Sequence, residues 1–511
     1  MAKLSDLEYL KLSKWKKFGY KLGNFFTGIP KGIGNFIMKL LSGIGKGAAA
    51  VGREVQDIVT TFIHGDWKTK VSYLVMGFGN IARGQILRGL LFLLFEIVFI
   101  GYMILSGGYW LSMMPSLGKV GPTEEYNEIY DNFVTKYNDN SFQILLYSVL
   151  TIFFIIAFIY TWRVNVRQNK TAEKILAAGK RLKSTKEDLH SMVDESFHKT
   201  LLSLPMTGII VFTVLPIFFM VLVAFTNYDG AHDGYINNLF HWVGLDNFNT
   251  MLSWNNASGS QSYAATFGEI LAWTLMWAFF ATFTNYFLGM FVAMAINKKG
   301  IKGKKIWRTI LVMTIAIPQF ISLLYVSKMF AKDGILNGFL KDMGWITTAL
   351  PFWEDQTWAR ITVILINIWI GIPYLMLIAT GILMNIPADL YESARIDGAN
   401  PWQQYTRITL PYMLFITGPY LLTSFTGNMN NFNVIYLLTG GAPTNPAASS
   451  ASGSVGYTDL LITWLFKITT GAESKYYLAS VVGILVFVVV ALISLIVYNV
   501  LPSIKNEEDF Q

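Results

Sequence analysis

The chain has no cysteine among its 511 residues. Disulfides, thiolate metal sites and cysteine nucleophiles are therefore excluded. Charge is scarce as well. Asp, Glu, Lys and Arg make up 14% of the residues, against roughly a quarter in an ordinary soluble protein. No G-x-x-x-x-G-K-[ST] phosphate loop is present. The nearest strings, Gly45-Lys46-Gly47 and Gly179-Lys180, lack its spacing and its hydroxyl, so the chain cannot bind ATP by that device. H-E-x-x-H and G-x-S-x-G are also missing, which leaves a membrane-enzyme reading without a catalytic constellation.

What is present is apolar. Hydrophobic residues make up 53% of the chain and aromatics 15%, and the mean hydropathy is +0.43. These values describe an integral membrane protein. The net charge of +8 then points to basic cytoplasmic loops rather than to nucleic-acid binding. The lysine-rich N-terminus has no early apolar stretch with a small-residue cleavage site, so no cleaved signal peptide is expected.

A spanning helix needs about 20 predominantly apolar residues. Eight segments qualify: 86–107, 143–162, 203–225, 266–296, 307–330, 360–384, 412–438 and 477–500. The fourth is overlong. Charge sets the orientation. The stretch before the first span is lysine-rich, and the next loop carries Glu124, Glu125, Glu128 and Asp131. Residues 163–200 are basic again, loop 226–265 has no Lys or Arg, and loop 297–308 carries Lys298, Lys299, Lys302, Lys304, Lys305 and Arg308. This alternation predicts both termini in the cytoplasm. Residues 1–85 interleave glycine and lysine with apolar residues. They read either as basic amphipathic helices on the inner leaflet or as a disordered basic tail. Residues 441–456 are low in complexity and read as a flexible external loop.

Few polar groups fall inside the spans. Arg88 sits at the edge of the first span and Glu96 near its middle. An intramembrane carboxylate is a functional candidate by default, and the alternative is a hydrogen-bonded structural Glu. The histidines, His64, His190, His198, His232 and His241, all fall outside the predicted spans, which counts against a proton relay. In the sixth span Asn367, Gly371 and Tyr374 stand at i, i+4 and i+7, and in the seventh Ser424, Asn428 and Asn431 repeat the spacing. Each set shares a helical face. Amides and hydroxyls beside aromatic rings suit a sugar, while the competing reading is that they join helices together. Gly371 and Pro373 weaken the sixth helix locally, and broken helices often line substrate sites.

Glu392–Pro411 reads ESARIDGANPWQQYTRITLP, a polar segment between two apolar runs. Asp397-Gly398 is a helix stop. Asn400-Pro401 is a helix start, with Gln403 placed to reach back to the cap. Two short helices joined at a glycine form a docking surface.

This segment resembles the EAA loop (E-A-A-x3-G-x9-I-x-L-P) of binding-protein-dependent ABC importers. Glu392, Ala394, Gly398, Ile408 and Pro411 match, and Ser393 replaces the first Ala. FTNYD at 225–229, VGLDNF at 243–248, NIWIGIPYLMLI at 367–378, SFTGNMNNF at 424–432, LLTGGAP at 437–443 and GYTDLL at 456–461 resemble the MalF-type maltose/maltodextrin permease subunits. The resemblance covers roughly 200–500. It implies an all-α integral membrane protein with eight transmembrane helices and a type I ABC importer permease fold. Residues 1–85 form a basic cytoplasmic or interfacial region, 86–200 two accessory spans with a cytoplasmic linker, and 201–505 a six-helix core with the coupling loop at 386–411. Glu392, Ser393, Ala394, Gly398, Ile408 and Pro411 are then the ATPase-coupling residues. Asn367, Ile370, Gly371, Tyr374, Ser424, Gly427, Asn428 and Asn431 are the sugar-binding positions.

The resemblance also implies partners. These are a second, MalG-type permease subunit, a MalK-type ATPase dimer that carries the ATP and Mg²⁺, and an extracellular sugar-binding protein. The chain itself would hold no cofactor and no metal. Gly427 and Ile315 stand where maltose-specific forms have a phenylalanine and a tyrosine, which points to a longer or different oligosaccharide. The short loop 226–265 leaves no room for the folded insertion of the enterobacterial form, so a lipid-anchored binding protein in a Gram-positive cytoplasmic membrane is expected. The substrate expectation is a maltodextrin, with galacto- or raffinose-type sugars as the alternative. A self-sufficient secondary transporter is the reading from another class.

Overall fold

The computed structural model describes residue 38 and residues 42–500, apart from 44, 137, 233–237, 255–260, 299, 449–453 and 472. The basic stretch before residue 38 and the C-terminal tail, whose placement the charge pattern predicts, lie outside the described residues.

Among the described residues, seven helices are long and apolar enough to cross a membrane: Ile86–Met113, Ser141–Ala177, Phe197–Val223, Tyr263–Asn297, Gln356–Leu383, Pro401–Met429 and Tyr476–Tyr498. An eighth crossing results if Lys304–Ala316 and Gln319–Met329, bent by 90°, count as one span. These are numbered one to eight in chain order below, with the bent pair as the fifth.

The structure changes several of the predicted segments. The fifth breaks at Ile317-Pro318. A residue before proline is pushed out of the helical region, and Ile317 lies at φ −81, ψ 126, while Pro318 has no N–H to continue the ladder. The seventh span ends at Met429 rather than 438. Asn431 leaves helical geometry, and its side chain accepts from the Val434 N–H at 3.3 Å to start a separate helix, Phe432–Leu438. The second span runs on to Ala177. The third starts at Phe197, so His198 falls in its first turn, contrary to the expectation that every histidine lies outside the spans. The apolar run alone underestimates these helices because caps and polar turns extend them. Asn140, Ser262 and Asp355 cap the second, fourth and sixth spans by accepting backbone N–H groups. The sixth helix is continuous through Pro373 and is not the broken helix predicted from Gly371 and Pro373.

The chain forms two compact units, Met1–Leu245 and Asp246–Gln511. In the first, residues 45–64 are helical. Glu54 of that helix pairs with Arg163 and Arg167, and Asp57 with Lys170, all on the extension of the second span. Arg83, with its side chain 1% exposed, pairs with Asp66 at 2.6 Å and also reaches Asn169 and Thr69. Burial alone would raise the Asp66 carboxyl, but bonds from Thr69 and the Arg83 charge hold it below the usual range. Glu96 is buried, and its Oε2 accepts the Met76 N–H at 2.7 Å. Its partner is thus backbone, the structural alternative of the two readings. A two-stranded hairpin, Thr123–Asn127 with Asn132–Lys136, occupies the loop after the first span.

The second unit is built on the fourth and sixth spans. One apolar cluster gathers Trp273, Trp277, Leu323, Val363, Ile366 and Leu438. A second gathers Tyr286, Met290, Ala293, Met376, Ala379 and Met413. The flanks of the 441–456 loop are held rather than loose. Thr444 bridges to Gly456, and Asn445 donates to Glu269 at 3.2 Å. The Asp459 carboxylate, fully enclosed, accepts from Lys467 at 2.7 Å and from the Gly456 N–H at 2.7 Å. Burial pushes the Asp459 carboxyl up, and Lys467 pulls it partly back.

Candidate functional site

The first candidate surface is local in origin. Ala388–Ile396 forms a short helix, and Gly398 follows at φ 76. That left-handed conformation costs a side-chain-bearing residue about 1–2 kcal/mol. The turn is a Schellman motif. The Ala399 N–H donates to Ala394 O at 2.8 Å and the Gly398 N–H to Arg395 O at 3.0 Å, which satisfies carbonyls that the helix end would orphan. The next helix opens with a complete capping box. Asn400 Oδ1 accepts the Gln403 N–H at 2.8 Å, and Gln403 Oε1 accepts the Asn400 N–H at 2.8 Å. Caps of this kind contribute about 1 kcal/mol.

One difference from the sequence reading stands out. The second helix is not separate. It continues through a π-helical turn, Tyr405–Thr409, into the seventh span as one element, Pro401–Met429. The Tyr391 hydroxyl bonds to Thr409 Oγ1 at 2.9 Å and ties the short helix to this rod. The short helix is thereby joined to a membrane span.

The surface is open. Glu392 and Ser393 are exposed, Ala394 is half-buried, and Glu392 has no ion pair among the described residues. Ile396 is 87% exposed and Trp402 70% exposed. Large apolar side chains beside an acid, on two well-capped helices, are what a protein interface recruits. Ile408 is half-buried and Pro411 exposed, both on the continuing rod.

The second candidate site lies between the fourth, sixth and seventh spans. The structure brings together only part of the two predicted stripes. A Cβ built on Gly371 would lie 2.3 Å from Asn285 Nδ2, so Gly371 is the seat on which the fourth span rests. Asn285 Nδ2 donates to Ala281 O at 2.9 Å and to Asn367 O at 3.4 Å. Its Oδ1 is buried with no hydrogen-bond partner among the described residues. Asn428 Nδ2 donates to Thr282 Oγ1 at 3.0 Å, and the Trp277 indole donates to Asn428 O at 3.1 Å. Asn431 Nδ2 reaches Asn428 Oδ1 at 3.4 Å. Asn431 does so from beyond the end of the helix, so the seventh-span stripe is not one continuous helical face. Ser424 bonds to Tyr420. Ile370 packs on the Trp273–Leu438 cluster. Tyr374, 53% exposed, and Gly427, exposed, point away from the packed core of this chain. A Cβ on Gly427 would meet nothing within 4 Å.

Thr282 and Asn285 were not singled out from the sequence, although a Thr-Phe-Thr-Asn run at 282–285 inside an apolar span is a visible signal. They lie in and beside a π-helical turn, Phe280–Thr284. Such turns spare backbone groups from the regular ladder and recur at functional sites. The result is a cluster of the Thr282, Asn285 and Asn428 side chains with the Asn367 backbone carbonyl, beside Trp277. Chemically it can exchange hydrogen bonds with a polyhydroxylated molecule without charge.

The comparisons agree with this architecture. The family model described as "Binding-protein-dependent transport system inner membrane component" matches residues 285–506. The maltodextrin transport system permease protein MalC of Streptococcus pneumoniae is 32% identical over 450 residues, which cover 86% of this chain and 97% of that one. The maltodextrin permease protein MdxF of Bacillus subtilis is 33% identical over 442 residues, covering 85% and 95%. The galactooligosaccharides transport system permease protein GanP of Bacillus subtilis is 32% identical over 438 residues, covering 85% and 97%. An identity of this level over nearly the whole of each relative places the chain. It belongs to the MalF-type family of binding-protein-dependent ABC transporter permeases and is a multi-pass membrane subunit with the type I permease fold.

Proposed function

We propose that this chain is the path-forming subunit of an importer for maltodextrin-type oligosaccharides, powered by ATP hydrolysis on a separate MalK-type dimer. The observation that carries the reading is the exposed, doubly capped helix pair at 388–404, whose second helix runs on into the seventh span, in a chain without a phosphate loop. ATP and Mg²⁺ would sit on the ATPase, so this chain would need no cofactor. The charge alternation puts the pair on the cytoplasmic side, where Glu392, Ser393, Ala394, Gly398, Ile408 and Pro411 form or shape the docking surface. The core at 201–505 would pair with a MalG-type subunit, with 86–200 accessory and 1–85 at the inner membrane surface. Relatives in S. pneumoniae and B. subtilis favour a Gram-positive plasma membrane and a lipid-anchored binding protein, whose tethering raises its local concentration.

For the sugar, the cluster of Asn367, Asn428 and their fourth-span partners supplies hydrogen bonds, with Ile370, Gly371, Tyr374, Ser424, Gly427 and Asn431 around it. A galacto-oligosaccharide is the second reading, supported by the 32% identity to GanP. The test is uptake into proteoliposomes by the assembled complex across α-glucans and galactosides of graded length. Uptake is expected to require the ATPase and the 386–411 segment. Uptake that survives deletion of 386–411 would instead indicate a self-sufficient carrier.

The space at Gly427 gives a sharper expectation. Gly427→Phe should fold, because nothing lies within 4 Å of the Cβ position where its side chain starts. It should disfavour long sugars relative to maltose by about 10-fold, the scale of one apolar group in a specificity pocket. Equal uptake ratios in the two proteins would remove Gly427 from the path.

A further inference from the structure

The loop between the fourth and fifth spans carries more positive charge than the fold uses. Between Asn297 and Ala316 the sequence holds Lys298, Lys299, Lys302, Lys304, Lys305 and Arg308 and no acid. No ion pair among the described residues includes any of these groups. Two of them serve the fold. Lys304 Nζ donates to Asn297 O at 3.0 Å, and Arg308 hydrogen-bonds to Asn297 Oδ1. Asn297 in turn donates to Thr380 Oγ1 at 3.2 Å, which joins the fourth, fifth and sixth spans at one point. Arg308 Nε is buried with no hydrogen-bond partner among the described residues. Lys302 and Lys305 are exposed.

The helix that follows, Lys304–Ala316, is two-faced. Lys304, Arg308, Leu311 and Val312 form its partly covered side, at i, i+4, i+7 and i+8. The other side presents Ile306 at 64% exposure, Trp307 at 55%, Ile310 at 48% and Met313 at 60%. Its first turn carries cations where the helix dipole disfavours them, and Gly303 offers no side-chain cap. Basic groups at the end of an apolar face that bears a tryptophan match the layout of a lipid in a bilayer, with its charge at the surface and its chains below.

We propose that this element binds an anionic phospholipid. The headgroup phosphate rests on Lys302 and Lys305 beside Arg308, and the acyl chains lie along Ile306, Trp307, Ile310 and Met313. Charge complementarity selects the occupant: the loop holds only cations, and the anionic lipids of the cytoplasmic leaflet are the charge that this surface would meet. The site rests on the orientation given under the proposed function. Because Arg308 and Lys304 also hold Asn297, an occupied site would stiffen the junction of the fourth, fifth and sixth spans.

The test is retention of phosphatidylglycerol by the detergent-extracted complex, read by native mass spectrometry, with phosphatidylcholine as the neutral comparison. This reading needs no transport, so it stands apart from any failure of the uptake experiments. Lys302→Gln/Lys305→Gln is expected to weaken phosphatidylglycerol retention about 25-fold, near fivefold per charge, and to leave phosphatidylcholine unchanged. Lys302→Arg/Lys305→Arg should retain the lipid. Equal retention by the wild type and the Gln variant overturns the proposal. So does loss of the lipid to inorganic phosphate at matched concentration, which would mark a site for free phosphate.

Discussion

Glu392→Lys is expected to abolish ATP-driven uptake while leaving the subunit folded and in the membrane. Glu392 is exposed and unpaired among the described residues, and the two caps that shape its helix pair, at Ala399 and at Asn400, do not involve its side chain. Folding should therefore barely change. Docking is another matter. Removing one partner of a charge pair that becomes buried in an interface costs about 2–5 kcal/mol, and reversing its sign adds repulsion. Copurification of the ATPase should fall by on the order of 100-fold, and uptake with it. Glu392→Gln keeps an acceptor and should retain part of both. Full copurification with normal uptake in the Lys variant would remove Glu392 from the coupling surface.

The second large effect is expected at Gly371. Gly371→Ala places a methyl 2.3 Å from Asn285 Nδ2 and 2.6 Å from its Cγ. Asn285 cannot simply swing away, because it is buried and its amide is committed to Ala281 O and Asn367 O. Overpacking of this kind costs about 1–3 kcal/mol and should separate the fourth and sixth spans. Adding Asn285→Ala removes the obstacle. Asn285→Ala gives up the bonds to Ala281 O and Asn367 O, but its Oδ1 has no partner among the described residues to lose, so the double variant should recover part of the stability, with a coupling energy of about 0.5–3 kcal/mol in thermal unfolding. Additive losses would mean that the two residues do not press on each other. The same pair separates two roles. If the double variant refolds yet stays inactive in uptake, the amide of Asn285 or the glycine surface contributes to the sugar path as well as to packing.

These two sites differ in how far the sequence reveals them. The helix stop at Gly398 and the capping box at Asn400 and Gln403 are legible because each rests on a side chain or a φ angle satisfied within five residues of itself. Proline at 318 also carried its signal, since the helical region is disfavoured for the residue before it, but hydropathy alone ran through it. The role of Asn285 was not legible. Its meaning depends on a glycine 86 residues later arriving at van der Waals distance, which can be found by arithmetic on the positions only after the helices are packed. Glu96 is similar: its acceptor role is set by the Met76 N–H, brought to it by a turn in the chain.

The sequence by itself determined that this chain lives in a membrane, crosses it about eight times and exposes a structured, motif-bearing helix pair. Hydropathy, charge asymmetry and capping chemistry act over distances of a few residues, so they survive being read one letter after another. Only the tertiary structure decided that the second helix of the pair runs on into the seventh span and that the fifth span is bent. It alone sorted the polar stripe residues: Gly371 serves a close helix contact, Asn428 pairs with Thr282, and Gly427 faces open space. Those outcomes depend on which helices approach and how closely, and side chains far apart in the chain set that distance together.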